Sequence, residues 1–252
     1  MLHSCLATPC TTPSFMLYLS TGCVPLRYIA MSRRLLFLHY ILTQKKDSML
    51  SKFFHAQSDN PKKGDWCQTV LSDLNTLGLS SYTYENISLI SKTQFRKIVK
   101  EAIQHNALAY LNKEKDKLSK VFHLKFTKLV MQDYLLPTSN LTLDESRFMF
   151  LAQSRMLPVG VNFRGTPHSS LSGTPNVDPV CPVCLDPSTQ DCQRHLMGCH
   201  KLVSSDLVQS IVQYDDLFST ELSKKISVMR VLKLNLERRK EILTLRQSGV
   251  RE

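Results

Sequence analysis

The chain has 252 residues, of which 42% are hydrophobic and 21% are charged, which excludes a disordered chain and suffices for one large domain or two small ones. Only 8 residues are glycine, which argues against a many-stranded sandwich or barrel. The net charge of +11 points to an anionic partner, for which nucleic acid is the usual candidate.

The first predicted elements are helices. Residues 1–26 have no clear hydrophobic period and look like the end of an upstream segment rather than the start of a domain. An apolar stripe predicts a helix over 27–42, and a shorter helix is predicted over 48–57. Asp65 is a candidate cap for a third helix, which Gly78 is expected to end in a left-handed conformation.

Two capping boxes mark later helices. Ser91 and Gln94 are predicted to open a long helix with one apolar and one basic face. Thr142 and Glu145 are predicted to open another, which Pro158 ends.

Three further segments complete the pattern. Residues 119–136 are expected to be helical as far as Pro137, and residues 158–180, rich in Gly, Ser, Thr and Pro, are expected to be a linker. Residues 221–246 are predicted to form a basic amphipathic helix that could dock in a protein partner. Its apolar stripe consists of Leu222, Ile226, Met229, Leu236 and Leu243.

The positive charge is concentrated in two blocks. Residues 27–128 contain 18 Lys and Arg against 8 Asp and Glu, a net charge of +10, and residues 221–252 contain 9 against 4, a net charge of +5. The segment between them is therefore acidic. This distribution predicts more than one binding surface.

Four of the eight cysteines cluster with two histidines near the C-terminal end. Such a cluster indicates a metal site in a reducing compartment rather than a disulfide framework. Cys181 and Cys184 form a C-x-x-C turn, and His195 and Cys199 stand at i and i+4, on one face of a helix. Four protein ligands leave no open position, so this Cys3His set predicts a structural, tetrahedral Zn²⁺ site.

Two neighbouring residues leave the ligand set open. Cys192 or His200 could replace one of the four, although Cys192 would have to leave its loop and His200 points about 100° away from Cys199 on a helix. The alternative to a metal site is a group of unrelated buried cysteines, which the spacing disfavours. The predicted fold class is all-α, with a basic helical domain (27–157), a linker (158–180), a zinc-binding module (181–203) and a C-terminal helical tail (204–252).

No catalytic site is predicted. No His is followed two residues later by Glu, as zinc deaminases require, and no H-E-x-x-H, Walker loop or nucleophile elbow is present. Tyr214-Asp215-Asp216 invites comparison with the metal-binding aspartates of polymerases. That chemistry needs a β-hairpin and a third carboxylate, whereas this pair precedes a helix whose N-terminus Asp216 or Ser219 is expected to serve. We therefore expect neither an enzyme nor a small-molecule substrate.

Ten basic residues are candidate phosphate contacts, although most such lysine and arginine runs are solvated helix faces. They are Arg33, Arg34, Lys62, Lys63, Arg96, Lys97, Lys100, Arg238, Arg239 and Lys240.

The sequence favours a protein without a membrane segment. Its most apolar stretch, near Phe37, is interrupted by arginines and is far shorter than the ~20 apolar residues of a membrane span. The first 26 residues carry no charge and so lack the basic region of a signal peptide. We expect an intracellular protein of the nucleus or cytoplasm.

An ordered series of segments resembles the C-terminal region of non-LTR (LINE-like) retrotransposon reverse transcriptases. The resemblance covers most of the chain, from about residue 14 to residue 243. Besides the zinc motif, the segments are LYLSTGCVPLR at 17–27, RRLLFLHYIL at 33–42, FFHAQ at 53–57, MQDYL at 131–135, RML at 155–157, NFR at 162–164 and DDLFS at 215–219.

The resemblance implies a template-handling tail without polymerase activity. In that family these segments lie downstream of the catalytic palm, so residues 1–26 would be the remnant of an upstream connection. Palm, fingers and endonuclease are not in this chain. The expected function is therefore non-catalytic binding of nucleic acid, RNA in particular. The alternatives are a zinc-stabilised protein-interaction module, acting through the 221–246 helix, and a decayed, non-functional copy.

Overall fold

A computed structural model of the chain describes residues 12–45, 47–59, 62, 64–118, 121, 124–159, 180–202 and 212–248. The regular elements in these ranges are helical, apart from an isolated bridge between Val180 and Gln190 and a bridge residue at Met131, which confirms the all-α fold class. The α-helices are α1 (Ser14–Thr21), α2 (Leu26–Leu42), α3 (Met49–Ser58), α4 (Trp66–Thr76), α5 (Tyr84–Leu89), α6 (Lys92–Asp116), α7 (Leu143–Gln153), α8 (Gln193–Gly198) and α9 (Leu222–Gln247). Short 3-10 helices lie at Asp133–Leu135, Pro137–Ser139 and Tyr214–Phe218.

The chain divides into two compact units. Unit 1 consists of Met1–Ser20, Leu118–Leu124 and Met131–Glu252, and unit 2 consists of Thr21–Lys117 and Lys125–Val130. The cysteine cluster and α9 both belong to unit 1.

In unit 2, helix α2 packs against α3, α4, α5 and α6. Leu35 and Leu38 on α2 are fully buried, because they lie on the stripe that faces the other helices. Two polar contacts fix the arrangement. Arg34 forms a bidentate ion pair with Asp73, with an Nε–Oδ2 distance of 2.6 Å, and His39 Nε2 lies 2.8 Å from the Ile90 carbonyl.

The two capping boxes and the left-handed glycine are confirmed, whereas Asp65 stands at the N-cap position of α4 without a side-chain cap bond, since its carboxylate accepts from the Lys62 N–H at 2.9 Å. Ser91 Oγ accepts from the Gln94 backbone N–H and Gln94 Oε1 accepts from that of Ser91, both at 3.3 Å, and Thr142 and Glu145 form the equivalent box at α7. Gly78 has φ +70°, the left-handed conformation expected after α4.

Two expectations about helices were wrong. The described residues between 119 and 136 contain no α-helix, only the 3-10 turn Asp133–Leu135 and a bridge residue at Met131, and the Gln132 N–H donates to the distant Ser20 carbonyl at 2.9 Å instead of within a helix. Conversely, α1 forms within the segment that showed no period. Met16, Leu17 and Leu19 are all buried, so the helix is covered on several sides and has no amphipathic stripe to detect.

In unit 1, α9 packs on α7, on α8 and on the 3-10 helix Tyr214–Phe218. Its buried face differs in part from the predicted stripe, since Met229 and Leu236 are buried but the other three predicted residues are only half-buried. The face is completed by Lys225, Val228, Leu232, Asn235 and Arg239. The predicted linker lies, apart from residues 158–159 and 180, outside the described residues.

Candidate metal centre

The C-x-x-C turn is held in shape by its own backbone. The Leu185 N–H donates to the Cys181 carbonyl at 3.0 Å, and Leu185 takes a left-handed φ of +56° that lets the chain reverse direction. The Cys181 N–H donates to the Thr189 carbonyl at 3.4 Å. These bonds direct the side chains of Cys181 and Cys184 toward the same point.

Helix α8 supplies the other two candidate ligands. His195 lies within the helix and Cys199 is its C-cap residue, so the four-residue spacing brings both side chains to one side, as predicted. Cys192 is the N-cap residue, and its Sγ accepts from the His195 backbone N–H at 3.4 Å.

The four predicted residues converge. Their ligand atoms all lie within 4.8 Å of one another. Cys181 Sγ and Cys199 Sγ are 4.0 Å apart, and Cys184 Sγ lies 3.4 Å from His195 Nε2. In a tetrahedron with Zn–S of ~2.3 Å and Zn–N of ~2.0 Å, these distances would be about 3.8 Å and about 3.5 Å. The group therefore has the dimensions to hold a metal ion.

The two residues considered as alternative metal ligands lie outside this group. Neither Cys192 nor His200 belongs to the converging group, since Cys192 caps α8 and His200 is exposed.

The ionisation of the metal-free site reflects its burial. Burial raises the pKa of the Cys181 thiol to about 12 and also raises the pKa of Cys199. For Cys184 burial acts in the same direction, but hydrogen bonds with the Thr189 hydroxyl and the Asp186 backbone outweigh it and lower the pKa. Burial lowers the pKa of His195, with the Asp191 carboxylate opposing, and so favours the neutral imidazole that a metal requires.

A buried ion pair fastens the loop that joins the two ligand pairs. Asp191, on this loop, accepts from both terminal nitrogens of Arg239 on α9, with an Nη2–Oδ2 distance of 2.6 Å. The Asp191 and Arg239 side chains are only 1% and 3% exposed. Breaking a pair this deeply buried leaves an uncompensated charge, so the pair holds loop and helix together.

Gln193 fastens α8 on its other side. Its Oε1 accepts from the Leu157 N–H at 3.1 Å, and its Nε2 donates to the Ala152 carbonyl at 2.9 Å and to the Tyr214 hydroxyl at 3.3 Å. These bonds connect the candidate site to the end of α7 and to the 3-10 helix Tyr214–Phe218.

Sequence reasoning did not find these supporting residues. Arg239 was predicted as a phosphate contact because it lies in a basic triplet, and the structure corrects this, since its guanidinium is buried against Asp191. Arg239 follows Leu232 and Asn235 at the helical spacing of three to four residues. This spacing is the signal that could have placed Arg239 on the buried face of the helix.

The other predicted phosphate contacts differ in their surroundings. Six of them are exposed, namely Arg33, Lys62, Arg96, Lys97, Lys100 and Lys240. Arg34 is paired with Asp73, Arg238 donates to the Leu202 carbonyl at 2.8 Å, and Lys63 lies outside the described residues.

Tyr214, Asp215 and Asp216 lie in a 3-10 helix rather than a hairpin. Asp216 accepts from the Gln213 N–H at 3.1 Å and so caps that turn, while Asp215 pairs with Arg194 at the surface. Asp216 therefore serves a helix N-terminus, although that of its own 3-10 turn rather than that of α9.

No helix in the described ranges is both long enough and apolar enough to cross a membrane.

The fold and the cluster together define a helical protein with a Cys3His group that could hold a metal ion. Comparisons with protein-family models, curated proteins and solved structures found no match to this chain. The function of this chain is therefore inferred from its residues and their geometry.

Proposed function

We propose that this chain is a zinc-stabilised, non-catalytic protein that binds nucleic acid, with RNA as the preferred partner. Zn²⁺ would be held by Cys181, Cys184, His195 and Cys199. Three thiolates and one imidazole in a compact tetrahedral arrangement suit zinc better than the oxygen-preferring cations. A closed four-ligand set serves stability and not catalysis, because no position is left for water or substrate.

The observation that supports nucleic-acid binding is the first half of α6. Arg96, Lys97 and Lys100 are all exposed there, and Lys92 occupies the first helical position, where the helix has no acidic residue. A cation near a helix N-terminus opposes the helix dipole, which costs about 0.3–1 kcal/mol. Only Lys92 lies within this first turn; Arg96, Lys97 and Lys100 extend the exposed positive surface from it, and such a surface favours an anion such as phosphate as partner.

The resemblance to the C-terminal region of non-LTR retrotransposon reverse transcriptases is the reason for proposing RNA as the nucleic acid that is bound. A tail of that kind would hold a template for a catalytic domain carried elsewhere. On this proposal the chain acts by binding alone, and the acidic pair at 215–216 has only a structural role.

A salt titration of RNA binding tests the proposal. Fluorescence anisotropy with a labelled single-stranded RNA would be measured from 50 to 300 mM salt. The triple variant Arg96→Gln/Lys97→Gln/Lys100→Gln should bind more weakly, with the slope of log K against log salt reduced by about 2, since each lost phosphate contact removes about 0.7.

A matched triple variant controls for net charge. Lys117, Lys125 and Lys128 are also exposed in unit 2, and changing all three to Gln removes the same charge. An equal loss of RNA affinity in both triple variants, or RNA binding that does not depend on salt, would contradict an RNA interface on α6. If the chain bound no RNA at 50 mM salt, the proposed function itself would be contradicted. The alternative function, a zinc-stabilised protein-interaction module, would then remain.

A Cys181→Ser/Cys184→Ser variant separates the metal from the interface. Neither ligand pair is in unit 2, so this variant is expected to lose zinc and keep the RNA affinity that α6 supplies. Loss of RNA affinity together with zinc would instead assign the contact surface to the zinc-binding module.

A further inference from the structure

The terminal helix α9 contacts every segment that carries a candidate metal ligand. Arg246 donates to the carbonyls of Pro182 and Val183, at 2.7 and 3.0 Å, the two residues between Cys181 and Cys184. This guanidinium therefore binds the backbone of the C-x-x-C turn from outside.

The helix that bears His195 is bound by a second side chain of α9. Asn235 is 3% exposed, and its Nδ2 donates to the Leu196 carbonyl at 3.1 Å and to the Met197 carbonyl at 3.4 Å. Carbonyls in the last turn of a helix have no partner within the helix, so Asn235 satisfies groups that α8 leaves open.

Two arginines bind the remaining segments. Arg238 donates to the Leu202 carbonyl at 2.8 Å, just after Cys199, and Arg239 forms the buried pair with Asp191 on the connecting loop. The four side chains lie within the 12 residues 235–246 of α9, a length of about 16 Å, so one helix positions all the ligand segments at once.

We propose that metal binding and the docking of α9 are a single linked equilibrium, with Arg239 and Arg246 as positioning residues for the metal ligands. This inference rests on the proposed binding of zinc. Linkage is reciprocal. If docking of α9 raises the zinc affinity by some factor, bound zinc raises the equilibrium constant for docking of α9 by the same factor. Outer residues that orient metal ligands are typically worth about 10- to 100-fold in metal affinity.

The affinity half of the test uses three full-length variants in competition with a chromophoric chelator. Arg239→Gln is expected to weaken zinc binding by about 10- to 100-fold. Arg246→Gln, at an exposed position where loss of folding is not expected, should weaken it by about 2- to 10-fold, the value of one or two hydrogen bonds. Lys240→Gln, next to Arg239 but exposed, is the matched control and should bind zinc as the wild type does.

The docking half of the test is hydrogen exchange of the amides of residues 222–247 in the wild-type chain. Adding zinc should slow their exchange, and in Arg246→Gln the zinc-dependent protection should be smaller by the same factor as the zinc affinity. The Co²⁺ absorption spectrum of Arg246→Gln should still show a tetrahedral site, which distinguishes weakened positioning from loss of a ligand.

Each outcome decides the inference. Zinc affinities within 2-fold of the Lys240→Gln control for both arginine variants, or exchange in α9 that zinc does not change, would overturn it while leaving zinc binding intact. A wild-type chain that binds no zinc would overturn the proposed function as well.

Discussion

Gln193 is predicted to be worth about 2–4 kcal/mol to the stability of unit 1. Its side chain is 4% exposed and makes three hydrogen bonds, to Leu157, Ala152 and Tyr214. Each buried hydrogen bond contributes about 0.5–1.5 kcal/mol net. The change Gln193→Met removes all three and keeps the volume nearly constant, so little packing energy is lost.

The assay is urea unfolding followed by far-ultraviolet circular dichroism, with zinc present in excess. Arg194→Met is the matched control, because Arg194 is the next residue on α8 and its pair with Asp215 is 71% exposed on both sides. Exposed pairs contribute about 0–1 kcal/mol. If Gln193→Met cost no more than Arg194→Met, the account of how α8 is fastened to α7 would be wrong.

Three further predictions concern unit 2, a turn and the metal site. Asp73→Asn should destabilise the protein by about 1–3 kcal/mol in urea unfolding, since it weakens a bidentate pair whose carboxylate is 5% exposed, and no loss would contradict that role for Arg34. Gly78→Ala should lower the free energy of unfolding by about 1–2 kcal/mol, because a φ of +70° strains an L-residue even though a Cβ there would meet no atom within 4 Å. Gly198→Ala is the control, because the space around it is equally open and its φ is not positive, and this variant should be as stable as the wild type or more so. Zinc affinity should fall as the pH is lowered from 8 to 6, because the pKa of metal-free Cys181 is about 12, its thiol is protonated across this range, and metal binding must release that proton; an affinity independent of pH would refute this reading.

The sequence was informative where local chemistry decides the structure. Capping boxes need only two side chains three residues apart, so the starts of α6 and α7 were predicted to the residue. The left-handed Gly78 and the four converging ligands follow from similarly short-range rules.

The sequence was misleading where tertiary contacts decide. Helix α1 is covered on several sides and shows no period, whereas residues 119–136 have helix-like spacing of apolar residues but form backbone bonds to distant segments, as the Gln132 N–H does to Ser20. Charge pattern alone could not distinguish Arg239, which is buried against Asp191, from the exposed Lys240 beside it. The partner of a charged side chain 48 residues away is not visible in a linear pattern.

We propose that three thiolates and one imidazole of this chain hold one zinc ion. Zinc K-edge X-ray absorption of the purified full-length chain, with zinc content measured in the same sample, tests it most directly. We expect one zinc per chain, with three sulfur neighbours at about 2.3 Å and one nitrogen at about 2.0–2.1 Å. A chain that retains no zinc after purification in its presence, or a first shell with oxygen neighbours and fewer than three sulfurs, would contradict it.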